Sequence, residues 1–125
     1  NDLDKTVYVP GDGYYIKVTG EVCVEETTAN SATPNRFTWR IYQSVNGAAL
    51  SAVRTKESSI DHDGGDNVTG QITDSMVWIV KTPTPGASYR YGVAATKSGG
   101  TSNFTPQKGS TNSSALTIEV LPYGG

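Results

Sequence analysis

The sequence is short of most residues that carry chemistry. It has one cysteine, Cys23, one histidine, His62, and one methionine, Met76. A single thiol cannot form an intramolecular disulfide, and no Cys/His spacing suggests a zinc site. Cys23 lies in an alternating run where Val22 and Val24 point the other way. It reads as a small half-buried strand residue rather than a reactive thiol. Charged residues make up only 18% of the chain and the net charge is −2. No basic patch is present, which argues against nucleic-acid binding. No apolar run approaches the ~20 residues that a membrane-spanning helix needs, and no signal peptide is visible. The chain begins at Asn1, a residue too large for the usual removal of an initiator Met, so the expectation is either that the true start is missing or that this is a piece of a longer polypeptide.

Helical periodicity is also missing. What is present is alternation. Phe37, Trp39, Ile41 and Val45 share one face at a period of two, and Thr38, Arg40, Tyr42 and Ser44 share the other. That pattern marks a strand with one face in the core. Asn46 and Gly47 follow, two residues that tolerate positive φ and suit a tight hairpin turn. The second arm is expected over 48–54.

Similar alternation runs through the rest of the chain. Thr6 to Val9 is a short strand. Tyr14 to Glu26 is a long one, with Ile16, Val18, Val22 and Val24 on one face. Gly20 interrupts that face and marks a bulge or a close backbone approach. Val68 to Thr73 and Ser75 to Lys81 are two further segments. In the second, residues 76–80 are apolar on both faces, so burial by the core on one side and by another subunit or loop on the other is expected. Ser88 to Lys97 places Tyr89, Tyr91, Val93 and Ala95 in phase, and Ser114 to Leu121 does so for Leu116, Ile118 and Val120. Pro83, Pro85 and Gly86 make a stiff turn. The polar stretches 27–35, 55–67 and 98–113 read as loops.

About eight short strands with no substantial helix predict an all-β, two-sheet antiparallel sandwich, with a jelly roll the leading form and an immunoglobulin-like order the rival. A chain of 125 residues is one domain on length, and at that size about 70% of the unfolded surface can be buried. The division expected is an N-terminal arm with the first short strand over 1–13 and a single sandwich over 14–125.

Catalytic signals are poor. No Gly-x-Ser-x-Gly elbow exists, and His62 has no nucleophile beside it in sequence. Asp61, Asp63 and Asp66 form the one acidic cluster and are the calcium candidates. The match departs from a calcium loop at its sixth position, Asp66 in place of Gly, and at its twelfth, Ile72 in place of Glu. No enzyme activity, cofactor or firm metal site is therefore expected. Aromatic faces stack on sugars, and Tyr15 and Tyr42 are the aromatics out of phase with the core, so they are the candidates for a glycan platform. Asn67, Asn103 and Asn112 fit the glycosylation pattern; in a chain so rich in Ser and Thr one or two such matches are expected by chance, and they matter only if the protein is made in a eukaryotic secretory pathway.

The order of features from Tyr14 onward resembles a known family. A Gly-Asp-Gly-Tyr-Tyr-Ile start opens the long strand, and a Trp-bearing strand leads into Val45, Asn46 and Gly47. A Pro-Gly turn precedes Tyr89, Arg90, Tyr91, Gly92 and Val93. The chain closes on Asn112 to Gly125. This resembles the small tumour-necrosis-factor/C1q-like jelly rolls of bacteriophage structural proteins, such as head decoration proteins, head fibres and fibre tips. The resemblance implies a non-enzymatic virion protein on the particle surface, a homotrimer that stabilises or decorates the capsid, with the major capsid or another virion protein as partner. The alternative it implies is a receptor- or glycan-binding tip that meets a host-surface glycan. Interface candidates are Met76, Trp78 and Val80 on the doubly apolar strand, and Thr38, Arg40 and Tyr42 on the outer face of the hairpin.

Overall fold

A computed structural model describes residues 4–26, 35–60, 71–99, 104–106 and 115–123. Its described elements are all strands: β1 (Asp4–Tyr8), β2 (Tyr14–Glu26), β3 (Asn35–Val45), β4 (Ser51–Ile60), β5 (Gln71–Val80), β6 (Ser88–Gly99), β7 (Phe104–Pro106) and β8 (Ala115–Pro122). They form two antiparallel sheets. One runs β1-β6-β3-β4. In the other, β2 carries β5 along one edge and β7 and β8 along the other. The two-sheet sandwich is the architecture that the alternation predicts.

The order of strands within it differs from a jelly roll. A jelly roll sets its first and last strands side by side. Here β1 pairs with β6 and β8 pairs with β2, in opposite sheets. Only the inner orders β2-β5 and β6-β3-β4 follow the immunoglobulin type, with β2 and β5 in one sheet and β3, β4 and β6 in the other. The first and last strands have exchanged places relative to that order. Residues 4–8, expected in an arm, are thus an edge strand of the sandwich.

The inner faces are those read from the period. Ile16, Val18 and Val22 of β2 meet Phe37, Trp39 and Ile41 of β3 and Tyr89, Tyr91 and Val93 of β6, with Met76, Leu116, Val9 and Ala87 completing the buried set. At Gly20 the opposite sheet packs closely against the backbone. A Cβ there would sit 3.2 Å from Val93 Cγ2 and 3.3 Å from Trp39 Cζ3. The glycine that interrupts the apolar face therefore makes room for the indole. Cys23 is 1% exposed, more deeply buried than its outward phase suggests, and a buried thiol is a poor nucleophile.

Several boundaries differ from expectation. Asn46 and Gly47 both have positive φ, 52° and 79°, and the Ala48 N–H donates to the Val45 carbonyl at 3.1 Å. The turn is as expected, yet the β3–β4 ladder closes at Gln43 opposite Ser51. Asn46 is committed instead to β6: its N–H donates to the Ser88 carbonyl, and its side-chain oxygen accepts from the Ser88 N–H. The second arm therefore starts at Ser51 and runs to Ile60, through residues expected in a loop. Similarly, the two segments expected over 68–73 and 75–81 are joined as β5 from Gln71, and β7 lies within the stretch expected as a loop over 98–113. Pro85 and Gly86 form the turn foreseen for them, with the Ala87 N–H donating to the Thr84 carbonyl at 3.2 Å and Gly86 at φ 79°.

Candidate functional site

Two outer faces, one on each sheet, carry the features of interest. On the first sheet, β6 turns Tyr89, Tyr91 and Val93 inward and Arg90, Gly92 and Ala94 outward. Register sets Gly92 between Asp4 of β1 and Tyr42 of β3, and Ala94 opposite Arg40. Residues this small on a central strand leave a trough. Its floor is Gly92 and Ala94, and its walls are Tyr42 and Leu50 on one side and Asp4 and Arg90 on the other. The cavity is about 250 Å³ and open to solvent.

Asp4 and Arg90 form a paired wall. Arg90 Nε donates to Asp4 Oδ1 at 2.8 Å and Oδ2 at 3.0 Å, and Nη2 donates to Oδ2 as well. The hydrogen bond from Arg90 holds the Asp4 carboxyl below its ordinary value and outweighs its slight desolvation. The same pair raises Arg90 above its usual value. Both groups are therefore charged across the whole working range of pH, and they neutralise each other.

On the second sheet, β5 turns Met76, Trp78 and Val80 inward. Met76 is buried, and Trp78 and Val80 are half-buried against the core. These three are the interface candidates of this strand, and their side chains turn toward the core. The outward residues are Thr73, Ser75, Val77 and Ile79, with Val77 40% and Ile79 37% exposed. The second face of the doubly apolar strand is thus uncovered by the described residues. Its neighbours across β2 and β8 are Thr19 and Thr117 in one row and Lys17 and Glu119 in the next.

The free edges of the sandwich are not alike. β4 carries Arg54, Lys56 and Glu57, and β1 is five residues long with Asp4 and Lys5. Charge and shortness are the usual protections of an edge. β5 is ten residues long, lacks proline, and has Asp74 as its one charged residue. That charge is engaged inward. Asp74 accepts from Trp39 Nε1 at 2.9 Å, from Lys56 Nζ at 2.7 Å and from Ser58 Oγ. Among the described residues no strand pairs with the second edge of β5.

Of the remaining sequence candidates, Thr38, Arg40 and Tyr42 are half-buried on the outer face of the first sheet, and Tyr42 lines the trough. Tyr15 packs against Tyr123 at the far end of the second sheet, ring centroids 5.4 Å apart. The sequence reading missed the opposing wall, Asp4 and Arg90, which are distant in the chain. The Gly92 beside Tyr91 was the one local signal of a depression. Asp61, His62, Asp63, Asp66, Asn67, Asn103 and Asn112 lie outside the described residues, as do most of the expected loops. Comparison of the sequence with protein-family models and with curated proteins finds no match.

Proposed function

We propose that this domain is a non-enzymatic structural module that docks on a larger particle, in the manner of a homotrimeric decoration protein on a virion surface. The single observation that carries the reading is β5: a long edge whose one charge, Asp74, is engaged inward and whose outward Val77 and Ile79 are exposed. Such an edge invites a second chain, because it offers unpaired backbone groups beside an apolar strip. The sequence resemblance to bacteriophage surface proteins supplies the particle, the three-fold state and the capsid partner. The strand order, which is not that of a jelly roll, does not support that part of the reading.

In this account β5 meets a neighbouring copy or the major capsid protein, and the opposite sheet faces outward. Light scattering of the purified chain at rising concentration tests it. A mass of three chains that falls to one on Val77→Asp or Ile79→Lys is the expected result. A chain that stays monomeric, and that fails to bind the particle it is encoded with, overturns the reading.

A further inference from the structure

We propose that the trough over Gly92 and Ala94 binds a single neutral saccharide ring, held by Tyr42 on one side and by the Asp4–Arg90 pair on the other. Shape and chemistry both point this way. The cavity, about 250 Å³, lies below the range of about 300–1,000 Å³ that holds drug-sized ligands, so it suits one ring. It is formed rather than incidental, since Gly92 and Ala94 stand in the outward phase of a central strand where larger residues would fill it.

The walls match a sugar's two kinds of surface. A pyranose presents C–H groups on its faces and hydroxyls around its rim. Tyr42 and Leu50 offer the apolar contact, and Leu50 is 39% exposed with the cavity beside it. The other wall is acceptor-only at Asp4 and donor-only at Arg90. Each hydroxyl of a vicinal pair can both donate and accept, so two neighbouring hydroxyls can satisfy both groups at once. The pairing with Asp4 occupies Nε and Nη2 of Arg90, and no described acceptor engages Nη1. Because Asp4 and Arg90 neutralise each other, the wall favours a neutral ligand over a strongly charged one. The site is on the sheet opposite β5 and does not depend on how the domain assembles.

Backbone NMR of the labelled chain, titrated with methyl glycosides of glucose, galactose, mannose and N-acetylglucosamine, is the test. At least one glycoside should move the amides of Gly92, Ala94 and Tyr42 saturably, with a millimolar constant. Tyr42→Ala should weaken binding at least tenfold. Ala94→Leu, which fills the trough from a half-exposed strand position, should abolish it. Tyr42→Phe should bind as the parent does, and Val77→Asp should leave the affinity unchanged, which separates this site from the docking edge. The proposal is overturned if none of the four shifts these amides at roughly 100 mM, far above a millimolar constant. It is equally overturned if Ala94→Leu, with an unchanged unfolding midpoint, binds as tightly as the parent.

Discussion

The indole N–H of Trp39 donates to the carboxylate of Asp74 at 2.9 Å, joining the middle of one sheet to the edge of the other. Trp39 is fully buried and Asp74 sits at the rim of the core. The same carboxylate takes Lys56 and Ser58 of β4, so one side chain closes the side of the sandwich where β4 and β5 run as edges. Asp74 stands in the inward phase of β5, with Met76, Trp78 and Val80. A carboxylate is tolerated there because four donors meet it, the three side chains and the backbone N–H of Ser75 at 3.0 Å.

Asp74→Ala is expected to destabilise the fold by about 2–3 kcal/mol, since it removes a charged acceptor and leaves a buried indole N–H unsatisfied. Asp74→Asn keeps an acceptor for Trp39 and should cost about 1 kcal/mol. Lys56→Ala should cost less than about 1 kcal/mol, because Lys56 is 47% exposed and its ion pair is screened. Urea unfolding followed by Trp fluorescence ranks the three. Equal losses for Lys56→Ala and Asp74→Ala would place the latch in the ion pair rather than in the indole bond.

Acid should release this latch. Burial pushes the Asp74 carboxyl up, but the hydrogen bonds from Lys56, Ser58 and Trp39 together hold it below its ordinary value. A carboxyl lowered on folding adds stability that is complete above its unfolded value of about 3.9 and is lost as pH falls through the lower folded value. The gap in stability between the parent and Asp74→Asn should therefore be constant above about pH 5 and close as the pH falls below about 3.9. Unfolding midpoints of both chains, taken across that window, check the sign. A gap that widens in acid would contradict it.

Gly20 should resist replacement. A glycine-to-alanine change at a relaxed strand position stabilises by about 0.4–1 kcal/mol through the unfolded chain. Here the added methyl would lie 3.2 Å from Val93, 3.3 Å from Trp39 and 3.4 Å from Ile41. Val93 and Trp39 would have to give together, with Ile41 already at contact distance, so Gly20→Ala is expected to be a net loss of about 1 kcal/mol and Gly20→Val of about 3 kcal/mol. Calorimetric unfolding measures both. A stabilised Gly20→Ala would show that the indole can retreat.

Asn46 holds a left-handed backbone and fastens the turn to β6. Asn46→Ala loses the bond from the Ser88 N–H and strains a residue at φ 52°, for an expected cost of about 2 kcal/mol. Asn46→Gly relieves the strain and should cost about 1 kcal/mol, the bond alone. Thermal unfolding of the pair separates the two contributions, and identical losses would mean that the backbone conformation contributes nothing.

The alternation of Phe37, Trp39 and Ile41, of Ile16 and Val18, and of Tyr89 and Tyr91 was enough to fix strands and inner faces. A period of two is a local property, and each strand carries it within its own residues. The turns at Asn46-Gly47 and Pro85-Gly86 were legible for the same reason, since φ preferences belong to single residues. Half of the candidate trough was legible too, because Tyr42 is visibly out of phase with its apolar neighbours.

Pairing is another matter. Asp4 finds Arg90 across 86 residues of chain, and Trp39 finds Asp74 across 35. Nothing in the neighbourhood of either residue specifies the partner. The exchange of β1 and β8 between sheets, the merging of two short segments into β5, and the meeting of Asp4 and Arg90 with Tyr42 around Gly92 all depend on which strands lie side by side. The sequence by itself settled that this chain makes a two-sheet sandwich and most of the side chains that fill it, Cys23 being an exception. Only the tertiary structure decided the strand order, the latch at Asp74 and the outward faces left for a partner. Long-range register is set by how the two inner faces fit together, and that fit is a property of the whole core.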